Sequence, residues 1–269
     1  MANFKEKNEP FIVCGHRGWP GKFPENTLSG FIAAAALGVD AIEIDVVPSK
    51  DGVPVVCHDY MLERTSDGTG LLADYTLEEL QKFDMGAKSK TAIHPEQICT
   101  VEDICKLMLK FPKLRLNLDM KEDNGPVCHK VADLIEQYGL KERTSFNGLG
   151  ARGLAQMKDR GFYVEASHPR FYPTTYWEDL VKDGTKVDAL CLNANQHVTP
   201  ENVEFLRSFG VEVWAWCSTW DGQSECDDGT WIPTDCESCM ENLLKNGITM
   251  CLCNHPDRTI EILKKKGLR

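Results

Sequence analysis

The chain has no long apolar run. Although 42% of its 269 residues are hydrophobic, no stretch approaches the roughly 20 consecutive apolar residues of a membrane-spanning helix. Stable membrane insertion by a helix is therefore excluded. Positive charge is also scarce: 30 Lys and Arg face 41 Asp and Glu, for a formal net charge of -11. A general nucleic-acid binder carries a basic stripe, so no nucleic-acid partner is expected. Any phosphate handled here should be small and held by a local positive site. The first nine residues, Met1 to Glu9, are charged and lack the apolar centre of a secretion signal; the expectation is a cytoplasmic protein. No G-x-G-x-x-G follows the first apolar run, which weighs against a dinucleotide-binding fold. Linkers, low-complexity tracts and charge blocks are absent too, so residues 1–269 read as one domain.

What is present is alternation. Short β-branched runs at 11–15, 41–47, 115–120, 143–147, 162–166, 188–193, 211–217 and 248–253 read as strands. Helical patterns follow at about 27–37, 100–111, 126–138, 150–160, 174–183, 200–209, 236–246 and 256–266. Several starts have a chemical reason. Thr199-Pro200 is an N-cap with proline at the first helical position. Thr76-x-x-Glu79 is a capping box for an extra short helix, Glu25 and Asn26 stand where they would cap the first helix and brace the site beside it, and Asn254 and Pro256 mark the last one. Gly38, Gly139, Gly161, Gly210 and Gly247 read as helix stops. Eight strand–helix pairs in about 250 residues is the count of a single (β/α)8 TIM barrel, with a doubly wound sheet as the alternative. The segment at about 60–99 breaks the alternation. It reads as a small insertion after the second strand, carrying Val53–Cys57 as an extra short strand and one short helix.

Twelve cysteines are many for a cytoplasmic chain. Cys14, Cys57, Cys191, Cys251 and Cys253 fall in apparent strands, where a thiol serves as a small hydrophobe. Cys217, Cys226, Cys236 and Cys239 include one C-x-x-C; free thiols are the expectation there, with structural zinc or a disulfide as alternatives.

The chemistry concentrates at strand ends, the rim on which barrel active sites are built. His16 and Arg17 follow the first strand. Glu43 and Asp45 alternate with Ile42, Ile44 and Val46, so the two carboxylates share a face. His58 ends the extra strand, Asp119 and Lys121 end the third main strand, and Trp216 ends the seventh. Carboxylates crowded on one face repel each other unless positive charge separates them. Glu43, Asp45 and Asp119, with no thiolate among them, suit one hard divalent cation, magnesium or calcium. Arg17 and Lys121 offer positive charge to a phosphoryl group, and His16 and His58 can give and take protons near neutrality. Together these parts describe phosphoester cleavage. Taken singly each has a plain alternative: a loop histidine, a solvated strand face, a salt-bridge arginine, a core tryptophan. His94, His129, His168, His197 and His255 read as surface or capping residues.

The ordered set His16-Arg17-Gly18, Glu25-Asn26-Thr27, Glu43-x-Asp45, His58-Asp59, Arg64-Thr65, Asp119-x-Lys121, Ser145-Phe146, Trp216 and Asn254-His255-Pro256 resembles the glycerophosphodiester phosphodiesterase family across nearly the whole chain. The resemblance implies a (β/α)8 barrel with a small insertion after strand two and metal-dependent hydrolysis of glycerophosphodiesters to a glycerol phosphate and an alcohol. It also implies His16 and His58 as the acid–base pair, Glu43, Asp45 and Asp119 as metal ligands, Arg17 and Lys121 on the phosphate, and Trp216 beside the glycerol or alcohol. Three positions depart from the family pattern. Asp119 replaces the usual glutamate, Cys217 replaces the threonine after Trp216, and Asn254 replaces an aspartate. Two rival readings follow: a phospholipase of the sphingomyelinase D type acting on lyso-lipids, and a non-catalytic phosphodiester-binding barrel. The acidic run from Trp220 to Trp231 reads as a lid on the same rim.

Overall fold

A computed structural model describes residues 11–121, 125–167, 187–194, 197–216 and 237–269. Its strands are β1 (Ile12–His16), β2 (Ala41–Pro48), β3 (Pro54–Val56), β4 (Arg115–Met120), β5 (Thr144–Asn147), β6 (Tyr163–Ser167), β7 (Ala189–Asn193), β8 (Glu212–Trp216) and β9 (Met250–Cys253). The helices among the described residues are α1 (Leu28–Leu37), α2 (Leu77–Leu80), α3 (Val101–Lys110), α4 (Pro126–Gln137), α5 (Ala151–Asp159), α6 (Pro200–Ser208), α7 (Glu237–Lys245) and α8 (Pro256–Lys265). The expected helix at 174–183 lies outside the described residues.

Neighbouring strands run β1-β9-β8-β7-β6-β5-β4-β2, and β1 also pairs with β2, which closes the sheet. Those eight pairings are all parallel, while β3 adds on antiparallel to β2. The molecule is thus the (β/α)8 barrel that the alternation called for. Helices cover the outside because a parallel strand pair needs a long crossover, and a helix buries its apolar stripe on the strands it joins.

Strand periodicity sorts the side chains. Ile42, Ile44, Val46, Leu116, Leu118, Phe146, Val164 and Leu190 turn outward into the layer between sheet and helices. Inside the barrel, Ile12, Cys14, Ala41, Tyr163, Ala189, Cys191, Trp214, Met250 and Leu252 form a second apolar cluster, with Tyr163 stacked on Trp214 at 5.5 Å. Glu43, Asp45 and Asn117 share that inward side and are almost fully buried. Cys14, Cys191, Cys251 and Cys253 on strands, and Cys57 just past β3, are all buried, as small hydrophobes should be.

The insertion has a core of its own, in which Val47, Val55, Cys57, Leu62, Leu72, Leu80, Met85 and Ile98 pack together. It holds two single 3-10 turns, Leu62–Arg64 and Leu72–Asp74, besides α2. The helix signals behave as chemistry dictates. Thr76 and Glu79 form the capping box on α2, and Thr199 caps α6 through the Asn202 amide. Gly38 ends α1 in the left-handed region at φ 93, and its N–H closes on the carbonyls of Ala34 and Ala35. One expectation is corrected in part. The cap of α1 is Thr27, which accepts from the Gly30 amide; Glu25 and Asn26 bond Arg17 and Asp45 instead, against the site they were expected to brace. The last helix starts at Pro256 as marked, with Asn254 just before it turned to His16. A second correction concerns His197, which is buried rather than on the surface.

Candidate active site

Register brings the predicted residues to one end of the barrel. His16 pairs with Glu43, Glu43 with Asn117, and Asp45 with Asp119. Ligand oxygens of Glu43, Asp45 and Asp119 lie within 4.8 Å of one another. The loop after β1 reaches this cluster by an unusual backbone route. Arg17 and Asn26 sit at φ 58 and φ 56, a region that few side chains adopt. The turn aims the Arg17 N–H at Glu43 Oε2 (2.8 Å), and the Asn26 N–H bonds the Arg17 carbonyl (3.1 Å).

The carboxylates differ in their support. Asn26 Nδ2 donates to Asp45 Oδ2 at 2.7 Å, Arg17 Nε lies 3.2 Å from the same oxygen, and Lys121 Nζ lies 2.7 Å from Asp45 Oδ1. Burial works against the charge on Asp45, but Arg17 and Lys121 outweigh it and hold the group below the usual carboxylate range. Lys121 also bonds Asp119 Oδ2 at 2.5 Å. Glu43 receives the Arg17 N–H and stands 4.0 Å from His16 Nε2. Burial, then repulsion from Asp45 and Asp119, push it well above its ordinary value. Asp119 rises as well, burial first, with Lys121 opposing. Two cations do not settle three carboxylates of which Glu43 and Asp45 are buried and Asp119 half-buried. The site has room for more positive charge, and its hard oxygen donors fit magnesium or calcium.

Both histidines are held by one nitrogen. Asn254 Oδ1 lies 2.7 Å from His16 Nδ1. An amide oxygen can only accept, so Nδ1 carries the hydrogen and Nε2 keeps its lone pair. The departure from aspartate at 254 therefore preserves the tautomer without adding charge. Burial, helped by the Arg17 charge, pushes His16 down to about 3, so the imidazole is neutral. His58 Nδ1 sits 2.5 Å from Asp59 Oδ1, which fixes its tautomer similarly. Burial lowers His58 too, while the charges of Asp45 and Asp59 oppose the shift.

Arg64 bonds Asp59 through Nε and grips Glu25 with Nη1 (2.8 Å) and Nη2 (2.7 Å), and Arg17 Nη1 reaches the same Glu25 at 2.9 Å. Burial alone would raise the Glu25 carboxyl, but Arg64 and Arg17 bring it down to about 2. Trp216, at the end of β8, packs over the inner apolar cluster, its buried indole N–H without a hydrogen-bond partner among the described residues. Sequence reading named His16, Arg17, Glu43, Asp45, His58, Asp119 and Lys121, which lie together at one end of the barrel. It missed the anchoring roles of Asp59, Arg64 and Asn254. Asp59 was available as a signal, since a carboxylate beside a histidine is the usual way to orient the ring. Cys217, Cys226 and Cys236 and the 220–231 segment lie outside the described residues, so neither the zinc and disulfide readings nor the lid meets a test.

Comparisons with known proteins place the chain in a family. The Glycerophosphoryl diester phosphodiesterase family matches residues 16–257. Glycerophosphodiester phosphodiesterase of Caldanaerobacter subterraneus subsp. tengcongensis is 30% identical over 268 residues, covering 95% of this chain and 99% of the relative. Human Glycerophosphodiester phosphodiesterase 1 is 41% identical over 137 residues, covering 50% of this chain and 40% of the human protein. Among solved structures, one from Silicibacter pomeroyi DSS-3 superposes with a TM-score of 0.80 at 21% identity, covering 98% of this chain and 96% of that one. An Oleispira antarctica phosphodiesterase, solved with the product sn-glycerol-3-phosphate, gives 0.76 at 23% identity, covering 94% and 96%. With a family match over nearly its whole length and a full-length relative at 30% identity, the chain belongs to the glycerophosphoryl diester phosphodiesterase family.

Proposed function

We propose that this chain hydrolyses glycerophosphodiesters to a glycerol phosphate and an alcohol, with His16 as general base and His58 as general acid. The observation that carries the reading is the pair of tethered imidazoles beside a three-carboxylate cluster. Each presents Nε2 while its Nδ1 is tied, to Asn254 in one case and Asp59 in the other. Burial keeps His16 neutral, and with Nδ1 tied to Asn254 its Nε2 lone pair is the one that can accept a proton from the attacking hydroxyl. His58 has the carboxylate of Asp59 on its other nitrogen, which stabilises the imidazolium it must become before it can donate.

In the reaction a glycerol hydroxyl oxygen bonds to phosphorus as its proton passes to His16 Nε2. The bond from phosphorus to the departing alcohol oxygen then breaks, and that oxygen takes the proton from His58 Nε2. Water then opens the resulting cyclic phosphate, giving a proton to His58 Nε2 while His16 Nε2 returns its proton to the glycerol oxygen. Arg17 and Lys121 supply positive charge for the phosphoryl oxygens, and Trp216 forms an apolar wall for the glycerol or alcohol. Glu43, Asp45 and Asp119 would hold one divalent cation, which when bound polarises the phosphoryl group and offsets its charge. Asp119 is one methylene shorter than glutamate, and it stays in the cluster because Lys121 ties it to Asp45.

The test is release of glycerol 3-phosphate from glycerophosphocholine and glycerophosphoethanolamine with magnesium, with calcium and with chelator. Turnover that one of the ions supports and chelator abolishes is expected. Turnover that survives chelation would remove the metal role. No release with either ion would shift the reading to lyso-lipids, and failure there to a binding barrel.

A further inference from the structure

Ion pairs around Asp59 and Glu25 form one unbroken chain from His58 to the barrel carboxylates. Asp59 faces His58 Nδ1 with one oxygen and Arg64 Nε with the other. Arg64 places Nη1 and Nη2 on the two oxygens of Glu25, at 2.8 and 2.7 Å. Glu25 Oε1 also accepts from Arg17 Nη1 at 2.9 Å, and Arg17 Nε reaches Asp45 Oδ2 at 3.2 Å. The chain bridges two separate pieces of backbone. His58, Asp59 and Arg64 follow β3 at the start of the insertion, whereas Arg17 and Glu25 lie on the loop after β1.

We propose that Arg64 is a positioning residue for the reaction, holding the His58 ring through Asp59 and the Arg17 guanidinium through Glu25 in one fixed relation. The inference rests on the acid–base reading given above. Arg64 is 45% exposed, where ion pairs contribute little to stability, so a purely structural role accounts poorly for three nitrogens placed on two carboxylates. The planar fork explains the choice of residue. It fixes both carboxylate planes at once, which the point charge of a lysine cannot do. Without Arg64, Asp59 keeps its contact to His58 but loses the restraint on its own rotation. Glu25 likewise keeps only Arg17. The proton donor and the phosphate-facing guanidinium then become independent.

The experiment compares Arg64→Ala, Arg64→Lys, Asp59→Asn and the Asp59→Asn/Arg64→Ala double variant on glycerophosphocholine, with His58→Ala beside them. Arg64→Ala should lower kcat roughly 10- to 100-fold, the range for removing a residue that orients a reacting group. Arg64→Lys should not restore it. Guanidinium added to Arg64→Ala should recover part of the loss and leave the wild type unchanged. The double variant should be no slower than the slower single one, since both break one chain. In 15N-histidine spectra, His58 should show a single Nδ1–H tautomer in the wild type and mixed tautomers in Arg64→Ala. Arg64→Ala within twofold of wild type while His58→Ala is inactive would overturn the role of Arg64 and leave the acid–base reading standing. An unrescued loss with additive single effects would overturn it as well. An active His58→Ala would instead overturn the reading beneath.

Discussion

Glu165 offers a quantitative test of how the barrel interior is built. It lies on β6, fully buried, with Asn117 Nδ2 donating to Oε2 at 2.6 Å and Asn147 Nδ2 at 3.5 Å. Burial pushes the carboxyl up from an ordinary 4.5 to about 8, the Asn117 hydrogen bond opposing and the Asp119 charge adding to the rise. The native state thus binds this proton more tightly than the unfolded chain does. The stabilisation is complete below about pH 4.5 and is lost as pH rises through about 8. Each pH unit in that window is worth about 1.4 kcal/mol, so moving from about pH 5.5 to about pH 8 removes roughly 3 kcal/mol. Glu165→Gln keeps an oxygen for the Asn117 amide and has nothing to ionise. Its thermal midpoint, relative to wild type, should rise over this interval by on the order of 6 to 12 °C. Parallel curves of midpoint against pH for the two proteins would refute the reasoning, because they would mean that Glu165 takes up no extra proton on folding.

Two further substitutions probe the walls of the candidate site. Gly148 stands at φ 74, and an added Cβ would lie 2.2 Å from Asp119 Oδ1 and 2.3 Å from the Met120 carbonyl. Gly148→Ala should cost more than the roughly 1–2 kcal/mol of left-handed strain alone and weaken magnesium or calcium binding, read by urea unfolding and titration calorimetry. Asn26→Ala removes a buried donor from Asp45 and puts alanine at φ 56. A loss of about 1–3 kcal/mol is expected from the missing hydrogen bond to a charged group, measured by urea unfolding, and an unchanged midpoint would contradict it.

Much of this architecture was legible because strand and helix signals are local. Period two in Ala41–Pro48 separated Ile42 and Ile44 from Glu43 and Asp45, and the outward and inward cores follow that division. Thr76 and Thr199 start their helices, and Gly38 ends one, where their own hydrogen bonds dictate. What failed to show was non-local. Glu25 and Arg64 meet across 39 positions of chain. Asn254 leaves the helix it precedes to hold His16 across 238. Glu25 and Asn26 resembled helix caps by type, but buried charges on Arg17 and Asp45 compete for their side chains and win. The Asn117–Asn147–Glu165 layer needed the registers of three strands, which no single segment contains.

The most direct measurement is kcat on glycerophosphocholine, with divalent ion present, for wild type, His16→Ala and His58→Ala at equal folded concentration. Positioned proton transfer typically contributes about 10²–10⁴-fold, so each single variant should lose on the order of that factor while its unfolding midpoint stays near wild type. Either histidine variant turning over at close to the wild-type rate would contradict the acid–base pair on which the proposed chemistry stands.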